Sequence, residues 1–432
     1  MAELSYEQAP PLSVPFRFFV TAPVFGLLCA GLLVWRGPEI FDSRWTPVAL
    51  GATHLLTLGF LASVMTGAMM QILPVLVGAP VPAPRAVAWL THLALLLGTL
   101  ALAGGFVLLE PLLLRSAVVL LGAGFAVFVV AVVASLAQVR AWNATVGVMW
   151  IVAIALAATV AFGALLAASR GFGIALPAGA LHDLHPGWGL LGWVGMLVIG
   201  VAYQVVPMFQ MTPAYSDRLT SWLTWAIFAA LVLWSATQTA LGDAGEQLAH
   251  GLALALAAGY ATFALITLDL QRQRRRRLAD VTLDFWRVGM VCLIVASGCW
   301  AARLFGIEAL PDAFDLFLGV LAIVGVAFSV VNGMLYKIAP FLVWFHLQTQ
   351  RPGRGPVPHM KKILGDAAQR TQFRVQIVAL VLLLGAPWWR PLAYPAGIVL
   401  AVSMLLLMRN LLEVARVFRE TQVRADVARE SL

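Results

Sequence analysis

Apolar residues run through this chain in long stretches, broken by short polar clusters. Twelve runs approach the roughly 20 residues needed to cross about 30 Å of hydrocarbon. They cover 15–35, 47–73, 87–108, 116–138, 145–168, 186–210, 220–241, 248–270, 284–305, 314–344, 373–389 and 391–409. The pattern predicts an all-α integral membrane protein with about twelve transmembrane helices. After the last run, "RNLLEVARVFRETQVRADVARESL" (409–432) mixes charged and apolar residues. It predicts a solvated helical tail over 410–432 that continues the twelfth span.

Three of the runs carry one phrase: "MMQILPVLV" (69–77), "AYQVVPMFQ" (202–210) and "LYKIAPFLV" (335–343). Gln71, Gln204 and Lys337 are 133 residues apart, as are Pro74, Pro207 and Pro340. The same offset aligns Gly59, Gly192 and Gly325, and also Gly67, Gly200 and Gly333. Glycine is 37 of 432 residues, so one such column arises by chance about 1% of the time; two, with a proline column, mark an internal repeat. The expectation is three pseudo-repeats of four helices, about 15–138, 145–270 and 284–409, in one membrane domain. Within each phrase the glycine, the polar residue and the proline share a helix face. Small residues let neighbouring backbones approach in lipid. The carbonyl freed by each proline needs a partner from the Gln or Lys side chain or a neighbouring helix. Lys337 also stands as an ion-path candidate, because charge inside a membrane is costly.

Composition reinforces the membrane reading: 61% of residues are hydrophobic and 11% charged. The net charge of +8 does not point to nucleic acid, because the basic residues alternate between loops. Arg85, Arg140, Arg218, the run 272–277, and Arg351, Arg354, Lys361, Lys362 and Arg370 fall in every second loop. Glu39, Asp42, Glu110, Asp183, Asp243, Glu246, Glu308, Asp312 and Asp315 fall in the others or beside them. Positive loops face the cytoplasm, so both termini are expected there, with the bilayer as the main partner. The start, "MAELSYEQAPPLSVP", has no basic region ahead of the first run, which predicts a retained helix. Cys29, Cys292 and Cys299 all fall within expected helices and read as packing residues.

Candidate chemistry lies at the other ends of the repeat helices. His54 opens the second run, His182 and His185 precede the sixth, and His250 opens the eighth. An imidazole in hydrocarbon needs a partner, which can be an interhelical hydrogen bond or a metal, as in axial ligation of haem iron. Leu58, Leu61, Met65, Met69 and Ile72 share the side of His54 on a regular helix and form either a porphyrin wall or helix packing. His54 and His185 are not related by the 133-residue offset, so the repeat does not require them to meet.

Twelve helices in three groups of four, with a histidine early in the second helix and a Gly-Phe pair after it, resemble subunit I of the haem-copper oxidases. The stretches "PFRFF" (15–19) and "THLLTLGFLASVMTGAMMQILPVLVG" (53–78) are similar to the NnrS family. Those are twelve-helix bacterial membrane proteins associated with haem, copper and nitric oxide metabolism. The resemblance implies haem b, with copper as a further candidate cofactor, in the bacterial inner membrane. By position, His54 matches the oxidases' low-spin haem ligand; His185, or else His182 or His250, would be the second. The family's other histidines are missing. The seventh run has none and the tenth has only His346, just past its cytoplasmic end, so no oxygen-reducing binuclear centre is recognisable. The NnrS histidine pair is incomplete, with Ala52 two residues before His54. The resulting expectation is a haem-binding protein of respiratory or nitric-oxide-related metabolism, serving an electron-transfer partner and not a terminal oxidase. A cofactor-free transporter and an assembly scaffold are the alternatives.

Overall fold

The computed structural model describes residues 9–176, 178–240, 245–275, 280–305, 313–349 and 357–430. Asp243, Arg276, Arg277, Glu308, Asp312, Arg351 and Arg354, used above to assign loops, lie outside the described residues. Every described element is helical, with no strand among them. Eleven helices are long and apolar enough to cross a membrane. The first ten are α1 (Ser13–Ile40), α2 (Pro47–Val75), α3 (Pro84–Val107), α4 (Pro111–Leu136), α5 (Ala144–Phe172), α6 (Gly179–Gln210), α7 (Asp217–Thr239), α8 (Glu246–Arg272), α9 (Val281–Leu304) and α10 (Ala313–Thr349).

Most of the expected eleventh run lies in α11 (Asp366–Gly385), which is not among the eleven and ends before the run does. Its first half carries Asp366, Arg370 and Arg374 besides Gln369 and Gln372. Arg370 pairs there with Asp284 of α9 (3.5 Å). The last helix, α12 (Ala393–Glu430), runs without a break from the twelfth span into the expected tail.

Neighbours in sequence pack side by side: α3 on α4, α4 on α5, α7 on α8, α8 on α9 and α11 on α12. Helix α12 then packs on α1, bringing the two ends of the chain together. Helices α2 and α6 are the most buried, and both meet α10 through their middle segments.

Those middle segments are π-helical: Leu55–Ala62 in α2, Gly187–Gly195 in α6 and Leu321–Phe328 in α10. Such runs are rare and usually confined to single turns, yet these three end at Ala62, Gly195 and Phe328, successively 133 residues apart. Each holds one glycine of the first column. An added Cβ would lie 2.3 Å from Phe25 at Gly59, 3.1 Å from Ala155 at Gly192 and 2.8 Å from Cys292 at Gly325. In all three cases the neighbour is on the first helix of the same expected repeat. Widening the helix displaces carbonyls from their usual donors. The Tyr260 hydroxyl donates to Leu191 O in the second segment, and Ser329 Oγ to Val324 O in the third (3.2 Å).

At the basic-loop ends, the polar residues of the phrase reach the starts of neighbouring helices. Gln204 Nε2 donates to Thr145 Oγ1 in the first turn of α5 (3.4 Å). Lys337 Nζ pairs at 2.7 Å with Asp280, whose carboxylate caps α9 by accepting from Thr282 N. Gln71 is buried, with its Oε1 unpartnered. Pro74, Pro207 and Pro340 lie inside their helices. Because both partners of the Lys337–Asp280 pair keep some solvent contact, Lys337→Met should change stability by no more than about 1 kcal/mol. A thermal unfolding scan in detergent measures it. A much larger loss would show that Lys337 does more than pair with the α9 cap.

Candidate functional site

A cavity of about 1130 Å³ opens between the helices at the ends opposite the basic loops. His54, His182, His185 and His250 all line it. Apolar walls come from Leu58, Leu102, Phe106, Leu121 and Phe125, and polar groups from Arg44, Arg170, Arg303, Asp315 and Glu246. The size suits an organic ligand or cofactor, for which pockets of about 300–1,000 Å³ are usual.

Two of the four histidines form a pair. The rings of His54 and His185 lie 6.1 Å apart between centroids, within 16° of parallel. His54 ends the regular first part of α2, immediately before its π-helical segment, and its Nδ1 bonds Leu50 O of the preceding turn (2.8 Å). His185 sits two residues before the α6 π-segment, and its Nδ1 bonds Thr159 O of α5 (3.1 Å). A carbonyl only accepts, so in both rings Nδ1 carries the proton and Nε2 keeps a lone pair. Nδ1–H bonded to a carbonyl is the usual support for a metal-ligating imidazole. Phe106 flanks His54 at 5.6 Å, and the Arg170 guanidinium lies over the Phe106 ring, 5.6 Å from its centroid.

Helix α5 makes room for the second ring. A Cβ at Gly163 would stand 2.8 Å from His185 Cε1. Gly163, Phe106 and Arg170 carry no motif and lie outside both glycine columns, so only the packing reveals them.

The other two histidines are placed differently. His182 packs against Trp45 (4.8 Å), and Trp45 also carries the Arg44 guanidinium at 4.5 Å. Arg44 and Arg303 both reach Asp315, at 3.8 and 3.0 Å, so these groups tie the rim of the cavity together. His250 is exposed on α8. Of the two readings of the stripe on α2, porphyrin wall or helix packing, the second describes most of it. Leu58 lines the cavity, whereas Leu61, Met65, Met69 and Ile72 are buried in the core and absent from the lining. The π-segment between His54 and Ser63 breaks the regular spacing on which that wall was reckoned. No group of three or more His, Cys, Asp or Glu suited to a metal ion occurs among the described residues.

His346 is engaged elsewhere. Its Nδ1 meets Leu342 O (2.9 Å) and its Nε2 meets Pro10 O (3.0 Å), which joins α10 to the segment before α1.

No protein-family model matches the chain, and no curated protein matches it in sequence. Among solved structures it is similar to a heme-copper terminal oxidase dimer determined by cryo-electron microscopy. The identity is 14% and the TM-score 0.66, over 94% of this chain and 84% of that one. The chain is a multi-pass helical membrane protein with a heme-copper oxidase-like fold.

Proposed function

We propose that this protein binds haem b between His54 and His185 and works as an electron-transfer or sensing component of bacterial respiratory or nitric-oxide metabolism. The observation that carries the reading is the imidazole pair: two near-parallel rings on one cavity, each with Nδ1 held by a carbonyl. The apolar walls suit a porphyrin, and Gly163 keeps the space His185 occupies. Bound there, haem would supply reversible one-electron chemistry. The protein's own part is to fix the tautomers, exclude water and place Arg170 beside the site.

Oxygen reduction at a second metal centre is not part of the reading. Described α7 contains no histidine, and both nitrogens of His346 face carbonyls. No three His, Cys, Asp or Glu converge for copper among the described residues, whereas haem needs only the two imidazoles. The three-repeat architecture, with both termini on the cytoplasmic face of the inner membrane, belongs to the same proposal. The π-segments at the 133-residue offset and the two glycine columns support it. So does the likeness to NnrS proteins, and the proposed context includes a respiratory electron-transfer partner. The Lys337–Asp280 pair weakens the transporter alternative by giving Lys337 a structural role.

The test is an optical spectrum of protein purified from a haem-sufficient host and reduced with dithionite. Soret and α bands at about one haem per chain are expected. A colourless protein that also fails to take up added hemin would sink the reading and favour a scaffold.

A further inference from the structure

The stretch "PFRFF" (15–19) opens α1 and takes no part in the histidine cavity. Its arginine is set among apolar residues, one turn or about 6 Å inside the basic-loop end of the helix. Arg17 Nε donates to Ser13 O (3.0 Å), while Nη1 is buried with no partner among the described residues. The side chain as a whole keeps some exposure, so a ligand can still reach the guanidinium.

No carboxylate among the described residues balances this charge. Helices α2 and α3 contain no Asp or Glu, and Glu39, the one acid of α1, pairs with Arg36 at the opposite end. Helix α12 also packs on α1, but its Glu413 and Glu420 both face Arg416. The repeat does not call for a cation here either. At the 133-residue offset Arg17 corresponds to Trp150 and Leu283. A charge taken from water without a counter-charge is costly.

The groove beside Arg17 is completed by α3, which packs on α1 and starts at the same face. Arg85, Trp89 and His92 are spaced i, i+4, i+7 and share one side of α3. The Arg17 guanidinium lies over the Trp89 ring, 4.5 Å from its centroid. One turn nearer the helix start, exposed Arg85 lines a hollow of about 410 Å³ with Pro11, Ala83, Pro84 and Ala86. Deeper in, His92 Nε2 lies 3.0 Å from Thr21 Oγ1. The Thr21 hydroxyl donates to Arg17 O (2.9 Å), so the imidazole donates to Thr21 and ties α3 to α1 inward of Arg17. Beyond that tie the outward faces are apolar: Val24 and Leu28 on α1, and Leu93, Leu97 and Leu100 on α3.

We infer that this groove binds one anionic phospholipid of the leaflet at the basic-loop ends. Its phosphate takes Arg17 and Arg85, neither of which has an ion pair among the described residues. Trp89 packs on the glycerol region, at the level where indole rings favour the membrane interface. The acyl chains follow the apolar faces of α1 and α3. Basic pockets between transmembrane helices hold such headgroups by the same charge pairing.

Native mass spectrometry of the full chain, delipidated in detergent, tests the site by titration with phosphatidylglycerol and, separately, with phosphatidylcholine. One phosphatidylglycerol per chain is expected, held roughly tenfold more tightly than phosphatidylcholine. Arg17→Gln should weaken that binding about fivefold. Arg140→Gln, at an exposed arginine of another basic-loop end, should leave it unchanged. Equal retention of the two lipids, or no effect of Arg17→Gln, would overturn the site. Displacement of the lipid by inorganic phosphate would overturn the lipid assignment in favour of free phosphate. If Arg17→Gln does not fold, a cryo-electron microscopy map of the wild-type protein in phosphatidylglycerol nanodiscs decides. Headgroup density against Arg17 and Arg85 supports the site, and lipid density that avoids both arginines overturns it.

Discussion

His54→Ala and His185→Ala, each made alone, are expected to abolish the low-spin haem spectrum, whereas His182→Ala and His250→Ala leave it in place. The rings of His54 and His185 are near-parallel and 6.1 Å apart, and each has its tautomer set by a carbonyl. His182 is engaged with Trp45 at the rim, and His250 is exposed. The supporting residues should matter too. At Gly163 an added Cβ would stand 2.8 Å from a ring atom of His185, and a rigid imidazole escapes only by turning away from Thr159 O. Disturbing the group that orients a ligand commonly costs about 10–100-fold in affinity. Gly163→Ala should therefore lower hemin affinity within that range while the protein remains folded. Hemin titrations followed at the Soret band, with circular dichroism as a fold control, measure both effects. If His182→Ala removed the bands and His185→Ala did not, the ligand assignment would be wrong.

The sequence and the structure agree most closely where long-range order is written as a period. The 133-residue spacing of Gly59, Gly192 and Gly325 is visible without coordinates, and the π-helical segments around these glycines keep that spacing. The π geometry itself is not legible, because it depends on Phe25, Ala155 and Cys292 pressing on those glycines from other helices. Of the stripe from Leu58 to Ile72, read as either a porphyrin wall or helix packing, only Leu58 reaches the cavity and the rest is helix packing. Residue type and depth place the four histidines at one end of the molecule but do not say that they share a cavity. The resemblance names His185 first as the partner of His54, although the repeat does not require it, since the offset places Ala52 and not His54 opposite His185. The pairing arises because α5 supplies both Thr159 O and the gap at Gly163. The buried polar network between α10, α11 and α12 is hidden for a similar reason: Gln372, Gln376, Ser403 and Asn410 look like scattered polar residues until α11 and α12 are side by side.

The glycine columns make a graded stability prediction, with Gly59→Ala the most damaging of the first column. Its Cβ would fall 2.3 Å from Phe25 Cγ and 2.5 Å from Phe25 Cβ. Phe25 is almost wholly buried on α1, and a clash with its Cβ cannot be relieved by rotating the ring. The backbone must move instead, at a cost of about 1–3 kcal/mol for overpacking of this kind. At Gly325 the closest atoms are Cys292 Sγ at 2.8 Å and Cβ at 3.0 Å. The sulfur can swing away, so Gly325→Ala should cost less than Gly59→Ala. At Gly192 the contacts begin at 3.1 Å, with Ala155 Cβ and then Leu231 Cδ2 at 3.2 Å, so Gly192→Ala should be the mildest of the three. Gly31 is the control: an added methyl meets nothing within 4 Å. Removing the glycine's extra freedom in the unfolded chain should leave Gly31→Ala neutral or more stable by about 0.4–1 kcal/mol. Thermal unfolding of the four variants in one detergent tests the order. If Gly59→Ala unfolded at the same temperature as Gly31→Ala, α1 would not be pressing on the π-segment of α2, and the column would lose its architectural meaning.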